Sequence, residues 1–254
     1  VLVGFAWKLG GPIAGFGIIS LWGFLLFAAV YFLPVGDRPK EPITSWKNLM
    51  PKWSVYRQAF VMLKEPGVDL VVFATFLRIS AYSIQASSRG PKMEYIGQDE
   101  FNIGILMGVA GLSSGLATLL GAPASRLFGS QVVVLIGGIS TAIIFISMTP
   151  YLSGFSIFFT AAVIFGLGMG ISLPLLLSVL SNAIPREQQG LSVGLRSTAN
   201  RLAGVVVPIG LGIVIELLGI THGFLVIGIV LLLVLIIGSV VLLRRAKQVS
   251  RAHI

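Results

Sequence analysis

The sequence predicts an all-α, polytopic membrane protein with about seven transmembrane helices, and three observations carry that reading. Seven stretches of the 254 residues are long and largely apolar: 13–33, 68–86, 101–120, 132–149, 155–180, 192–218 and 224–243. Each approaches the 20 or so residues that a helix needs to cross a hydrocarbon core of roughly 30 Å. The chain is 56% hydrophobic and only 11% charged, with a mean hydropathy of +0.97, far from the balance of a water-soluble domain. The runs are apolar all round instead of alternating every second residue, which excludes a membrane β-barrel. In lipid the backbone must satisfy its own hydrogen bonds, so such runs are helices.

Taken in order, residues 1–9 are apolar from the start and read as the end of an earlier helix. Pro12 then opens the first full span at a position where the missing N–H costs nothing. Residues 34–66 form a long polar interruption whose second half is amphipathic at helical spacing. Trp53, Tyr56, Phe60 and Leu63 share one face, and Lys52, Arg57 and Lys64 lie on the others, the pattern of a helix lying at a membrane interface. Six spans follow on short connections, with Asp69 in the first turn of the first of them, where a carboxylate complements the helix dipole. Pro174 and Pro208 fall inside spans, where neighbouring helices can satisfy the freed carbonyls. Glycines recur four apart, as in Gly104/Gly108, Gly111/Gly115, Gly166/Gly170 and Gly190/Gly194, a spacing that lets helix backbones approach closely in lipid. The expected organisation is 1–33 as the end of an amino-terminal bundle, 34–66 as a linker, 67–243 as a six-helix bundle and 244–254 as a tail.

The net charge of +9 is unevenly placed. Arg38, Lys40, Lys47, Lys52, Arg57, Lys64, Arg126, Arg186, Arg244, Arg245, Lys247 and Arg251 fall on one set of alternate loops. Only Lys8, Arg89 and Lys92 fall on the other. That asymmetry is the positive-inside rule and puts the linker and the carboxyl terminus in the cytoplasm; the membrane expected is the plasma (inner) membrane. The basic excess reads as topology and contact with anionic lipid, with no nucleic-acid partner. The chain has no cysteine and only two histidines, His222 and His253, so no thiol chemistry, metal site or cofactor is expected.

Two loop sequences carry a family resemblance. Residues 121–129 read GAPASRLFG, similar to the G-x-x-x-D-R-x-G loop of the major facilitator superfamily; Gly121 and Arg126 match, Gly129 stands one residue beyond the last glycine of that pattern, and Ser125 stands where that family has an acidic residue. Residues 185–190 (PREQQG), followed by 194–201 (GLRSTANR) and Pro208, look like the family's last cytoplasmic loop and penultimate helix. A long basic linker ahead of six spans is the third likeness. The chain thus resembles the carboxyl-terminal half of such a transporter, with 1–9 as the tail of the fifth helix and 13–33 as the sixth. The resemblance implies secondary active transport of a small organic solute by alternating access, with no enzymatic activity; efflux of an organic solute is the first reading of its direction and import of a sugar or carboxylate the second. It also implies an amino-terminal bundle, which supplies the opposite wall of the passage, as a partner alongside the solute and the lipid bilayer.

Arg78 is the most suggestive single residue, because a cation near the middle of a span faces a bundle interior or a wet cavity. Thr75, Arg78, Tyr82 and Gln85 follow one another at helical intervals and form a polar stripe. The resemblance puts that stripe on a cavity-lining helix, in contact with an anionic or polar substrate; the other reading is an arginine that ties two helices together. Asn200 is a further cavity candidate. Gly121, Arg126, Gly129, Arg196 and Arg201 are candidates for the loop motif and a cytoplasmic gate, with Arg196 close enough to the surface to snorkel. The enzyme alternative, an intramembrane serine protease, rests on the GLSSG string at 111–115, which needs an exposed strained turn at Ser113 and a base within reach. A seven-span receptor fits the count but leaves the linker unexplained.

Overall fold

The computed structural model describes residues 2–32, 53–65, 67–95, 97–185 and 188–252. The Arg38, Lys40, Lys47, Lys52, Arg186 and His253 positions lie outside them. All elements among the described residues are helical: α1 (Leu2–Tyr31), α2 (Trp53–Met62), α3 (Val68–Tyr95), α4 (Glu100–Thr118), α5 (Gly121–Leu127), α6 (Gln131–Ser147), a 3-10 turn (Thr149–Tyr151), α7 (Phe155–Ala183) and α8 (Gln189–Ala252). Five runs are long and apolar enough to cross a bilayer, namely Leu2–Tyr31, Val68–Ser88, Glu100–Thr118, Phe155–Ala183 and Gln189–Arg245. The bent pair α5 and α6, which meet at 116°, makes a sixth.

The 57-residue run Gln189–Arg245 would reach about 85 Å if straight, nearly three bilayer cores. It is divided at Gly219, whose φ of 77° and ψ of 166° lie in a region essentially reserved for glycine. The chain folds back there: a Cβ on Gly223 would sit 2.9 Å from Ile215 Cγ1. The limbs 189–218 and 220–252 correspond to the last two spans expected from sequence. His222, expected in an outer loop, instead begins the second limb, because the reversal is confined to one glycine.

A similar break divides α1 at Gly10 and Gly11 (φ 66°), with Pro12 starting the second limb. Trp7 of the first limb meets Phe16 of the second, ring centroids 5.7 Å apart, and lies over Gly15. The spans are longer than their apolar cores suggest, since polar turns extend α3 from 86 to Tyr95.

The main core is shared by α3, α6, α7 and α8, with Leu77, Ile84, Leu135, Ile139, Leu176 and Leu235 essentially inaccessible. The α4–α7 contact is the tightest, because Gly166 and Gly170 present bare backbone to Ala110, Ser113, Ser114 and Ala117. Gly138 and Gly168 do the same for α6 and α7. Large apolar side chains cover the outside, among them Trp22, Phe24 and Phe27 of α1. That surface suits lipid, which asks no polar partner of it. Within α2, Met62 is buried against the bundle while Trp53, Tyr56 and Phe60 are exposed on the outside.

One end of the bundle gathers Lys64, Asp69, Gln131, Ala183 and Arg245. Arg245 Nη2 donates to the Lys64 carbonyl at 3.2 Å, and its Nη1 lies 3.5 Å from Asp69 Oδ2. Asp69 Oδ1 accepts from the Gly67 and Leu70 amides at 3.1 and 2.7 Å, so the carboxylate caps α3 as well as pairing. At the opposite end Lys8 Nζ donates to Asp99 Oδ2 at 2.7 Å, and Asp99 Oδ1 accepts from the Asn102 amide to cap α4. Most of the described basic loop residues are thus at the Arg245 end, as the charge asymmetry requires.

Candidate functional site

The α3 helix buries Ala74, Leu77, Ala81 and Ile84 on one side and turns Arg78, Tyr82 and Gln85 to another. That second side meets α4 and α7 around a cavity of about 290 Å³. Met107, Ala110, Gly111 and Ser114 of α4 and Phe165, Gly166 and Met169 of α7 complete it. Its body is therefore apolar, and its polar groups converge from α3, the general form of a small-molecule site.

Arg78 reaches across to α7. Its Nε donates to Ser172 Oγ at 3.0 Å and its Nη2 to the Met169 carbonyl at 3.1 Å, while Ser172 Oγ donates to the same carbonyl at 2.9 Å. Pro174 has no N–H to offer the carbonyl four residues back, so the α7 ladder is already open beside this contact. The arginine therefore ties α3 to α7, one of the two readings that the sequence allows, and also lines the cavity.

The other candidates separate. Tyr82 stands half exposed at the cavity, and Gln85 is buried between it and a smaller neighbouring space. Thr75 is buried outside the cavity lining, and its Oγ1 has no hydrogen-bond partner. Arg196 is half-buried on the 189–218 limb, with its Nε inaccessible and unpartnered, and it lies within electrostatic range of Arg78. This inward placement differs from the snorkelling geometry expected from sequence, because the limb turns that face toward α3. Asn200 and Arg201 are exposed on the same limb and line no cavity formed by the described residues.

Gly121 opens α5 against α7, where a Cβ would come 2.9 Å from Pro174 Cγ. Gly129 follows the Phe128 cap with φ 68°, a left-handed residue that stops the short helix. Arg126 is exposed in the last turn of α5, and Ser125 Oγ donates to the Ala122 carbonyl at 2.8 Å. Ser113 lies within α4 and packs on Gly166, without the exposed turn that a serine nucleophile needs. Among the described residues no group of three metal-ligating side chains comes together.

Ser172, Met107 and Ala110 were not singled out in the sequence, and Gly111 and Ser114 of the α4 wall entered it only through the 111–115 string, not as cavity residues. A hydroxyl two residues before Pro174 in an otherwise apolar run was the available signal. A family model described as Major Facilitator Superfamily matches residues 71–253, from the first turns of α3 to the end of α8. A search of curated proteins found no match. With that match over most of its length, the six-span block preceded by a basic linker and the glycine-bounded helix at 121–129, the chain belongs to the major facilitator superfamily.

Proposed function

We propose that this membrane transporter works by secondary active transport, moving a small organic solute by alternating access, and that the α3–α4–α7 cavity is its half of the solute site. An amino-terminal bundle, in the same polypeptide or another, supplies the opposing wall, and the two rock about the solute between them. The membrane is the plasma (inner) membrane, the carboxyl terminus is cytoplasmic and the direction is efflux. The observation that carries the reading is Arg78: a charge inside a span, costly at about 2.5–3.5 kcal/mol on insertion scales, that opens onto a cavity. An arginine needed only as a helix tie would gain nothing from that exposure.

The test is accumulation of a panel of radiolabelled organic solutes in cells producing the protein. Expression should change the accumulation of at least one solute. Arg78→Ala should reduce that transport at least about tenfold, the scale of one lost charge-assisted hydrogen bond, and Arg78→Lys should retain part of it. Full transport by both variants would remove Arg78 from the solute site.

A further inference from the structure

We infer that a cleft at the basic end of the bundle, between α2 and the α7–α8 corner, holds a zwitterionic phospholipid headgroup, with the lipid phosphate on Arg57 and its primary ammonium on Glu65. The cleft is separate from the α3–α4–α7 cavity and encloses about 860 Å³. Its polar wall comes from Ser54, Arg57, Gln58 and Glu65 of α2 and the turn after it, with Gln188 on the corner. Val61, Met62, Ile184 and Leu191 make an apolar floor. Two contacts fix the end of α2 here. Met62 is buried in the main core, and Arg245 Nη2 donates to the Lys64 carbonyl at 3.2 Å. The wall of the cleft is therefore anchored to the bundle.

Its charges choose the headgroup. The ion pairs among the described residues are Lys8–Asp99 and Arg245–Asp69, and neither Arg57 nor Glu65 belongs to them. Eight positions apart, these two do not meet as residues three or four apart on a helix do. A ligand bearing both signs satisfies both groups, whereas a simple anion is repelled by Glu65 and a simple cation by Arg57. A phosphate accepts two parallel hydrogen bonds from a guanidinium, and a primary ammonium has three N–H donors for carboxylate and amide oxygens. The depth of the cleft makes the ligand a lipid. Ala183, in its wall, ends one apolar span, Gln188 immediately precedes the next, and Glu65 stands three residues before a third begins at Val68. That is the edge of the hydrocarbon, where headgroups lie. Exposed Trp53, Tyr56 and Phe60 of α2 are the side-chain types that favour the same depth. The apolar floor then takes the glycerol and the upper acyl chain.

The test is melting of the full chain, purified in detergent and titrated with dioleoyl phosphatidylethanolamine, phosphatidylcholine or phosphatidylglycerol. The ethanolamine lipid should raise the melting temperature saturably and at lower concentration than the other two. Choline offers no N–H donor, and the glycerol headgroup has no positive charge. Arg57→Gln should weaken binding of the ethanolamine lipid by about tenfold, the scale of one lost charge-assisted hydrogen bond. Glu65→Gln should abolish the preference for ethanolamine over glycerol, because no carboxylate then repels the anionic lipid. Both side chains are exposed, so neither substitution disturbs the core. Soluble O-phosphoethanolamine should bind far more weakly than the lipid; equal affinity would overturn the lipid in favour of a soluble zwitterion. The same shift with all three lipids, or an ethanolamine preference unchanged in both variants, would overturn the site. None of these readouts depends on solute movement, so failure here leaves the transport reading in place.

Discussion

Adjacent glycines in α6 show how finely close helix packing is decided at single residues. A Cβ on Gly138 would lie 2.8 Å from the Gly168 carbonyl oxygen of α7, whereas one on Gly137 would meet nothing within 4 Å. Gly138→Ala should therefore lower stability by about 1–3 kcal/mol, the usual cost of overpacking. Gly137→Ala should be neutral or slightly stabilising, since alanine favours the helix. Thermal melting of the two variants in the same detergent checks this, and equal melting temperatures would contradict the packing. The four-residue spacing of Gly166 and Gly170 was legible because it repeats on one helix face. The Gly138–Gly168 contact was not, because it is a meeting of two helices and leaves no period in either. Arg78 follows the same division. Its cost in lipid marked it from sequence, but Ser172, 94 residues away, is its partner only through the α3–α7 packing.

Among the elements, the first limb of α1 is held to the start of α4 by a small polar and aromatic cluster. Phe5 and Phe101 pack edge to face at 6.2 Å, Lys8 Nζ stands 5.8 Å from the Phe101 ring centre and pairs with Asp99, and Gly4 lies against the Glu100 carbonyl. The Lys8 hydrogen bond, with the Asn102 amide, holds the Asp99 carboxyl below its usual range. Its folded value is depressed, so the contribution is present above the ordinary carboxylate range and disappears as pH falls through the lower folded value. Between about pH 6 and pH 3 the wild type should lose more thermal stability than Asp99→Asn, and added salt should shrink the difference because the pair is exposed. Parallel melting curves for both proteins across that range would rule the contact out as a pH-dependent element. Lys8 was visible in the sequence as an outer-side charge, but its partner Asp99 is set by the packing of α1 on α4.

At the scale of the whole molecule, the uneven charge predicts which end faces the cytoplasm. The absence of cysteine from these 254 residues makes the prediction direct to test, because an introduced thiol has no competitor among them. Ser130, between α5 and α6, is on the basic side, and Ser153, just before α7, is on the other. A membrane-impermeant maleimide should label Ser153→Cys in intact cells and Ser130→Cys only after permeabilisation. The reverse pattern would invert the molecule and place the carboxyl terminus outside.

The sequence by itself determined that this chain lives in lipid, where its membrane spans begin to within about a turn, and which side carries the positive charge. Those properties are local: the length of an apolar run, a proline or glycine at its edge, and lysines and arginines in the loops. Only the tertiary structure decided which polar side chains share a space. It brought Arg78, Tyr82 and Gln85 to one cavity, buried Thr75 away from it and turned Arg196 inward. The physical reason is that helix rotation and crossing are set by steric contact between glycines and side chains far apart in the chain. Hydropathy, which ranks residues one window at a time, carries no record of those contacts.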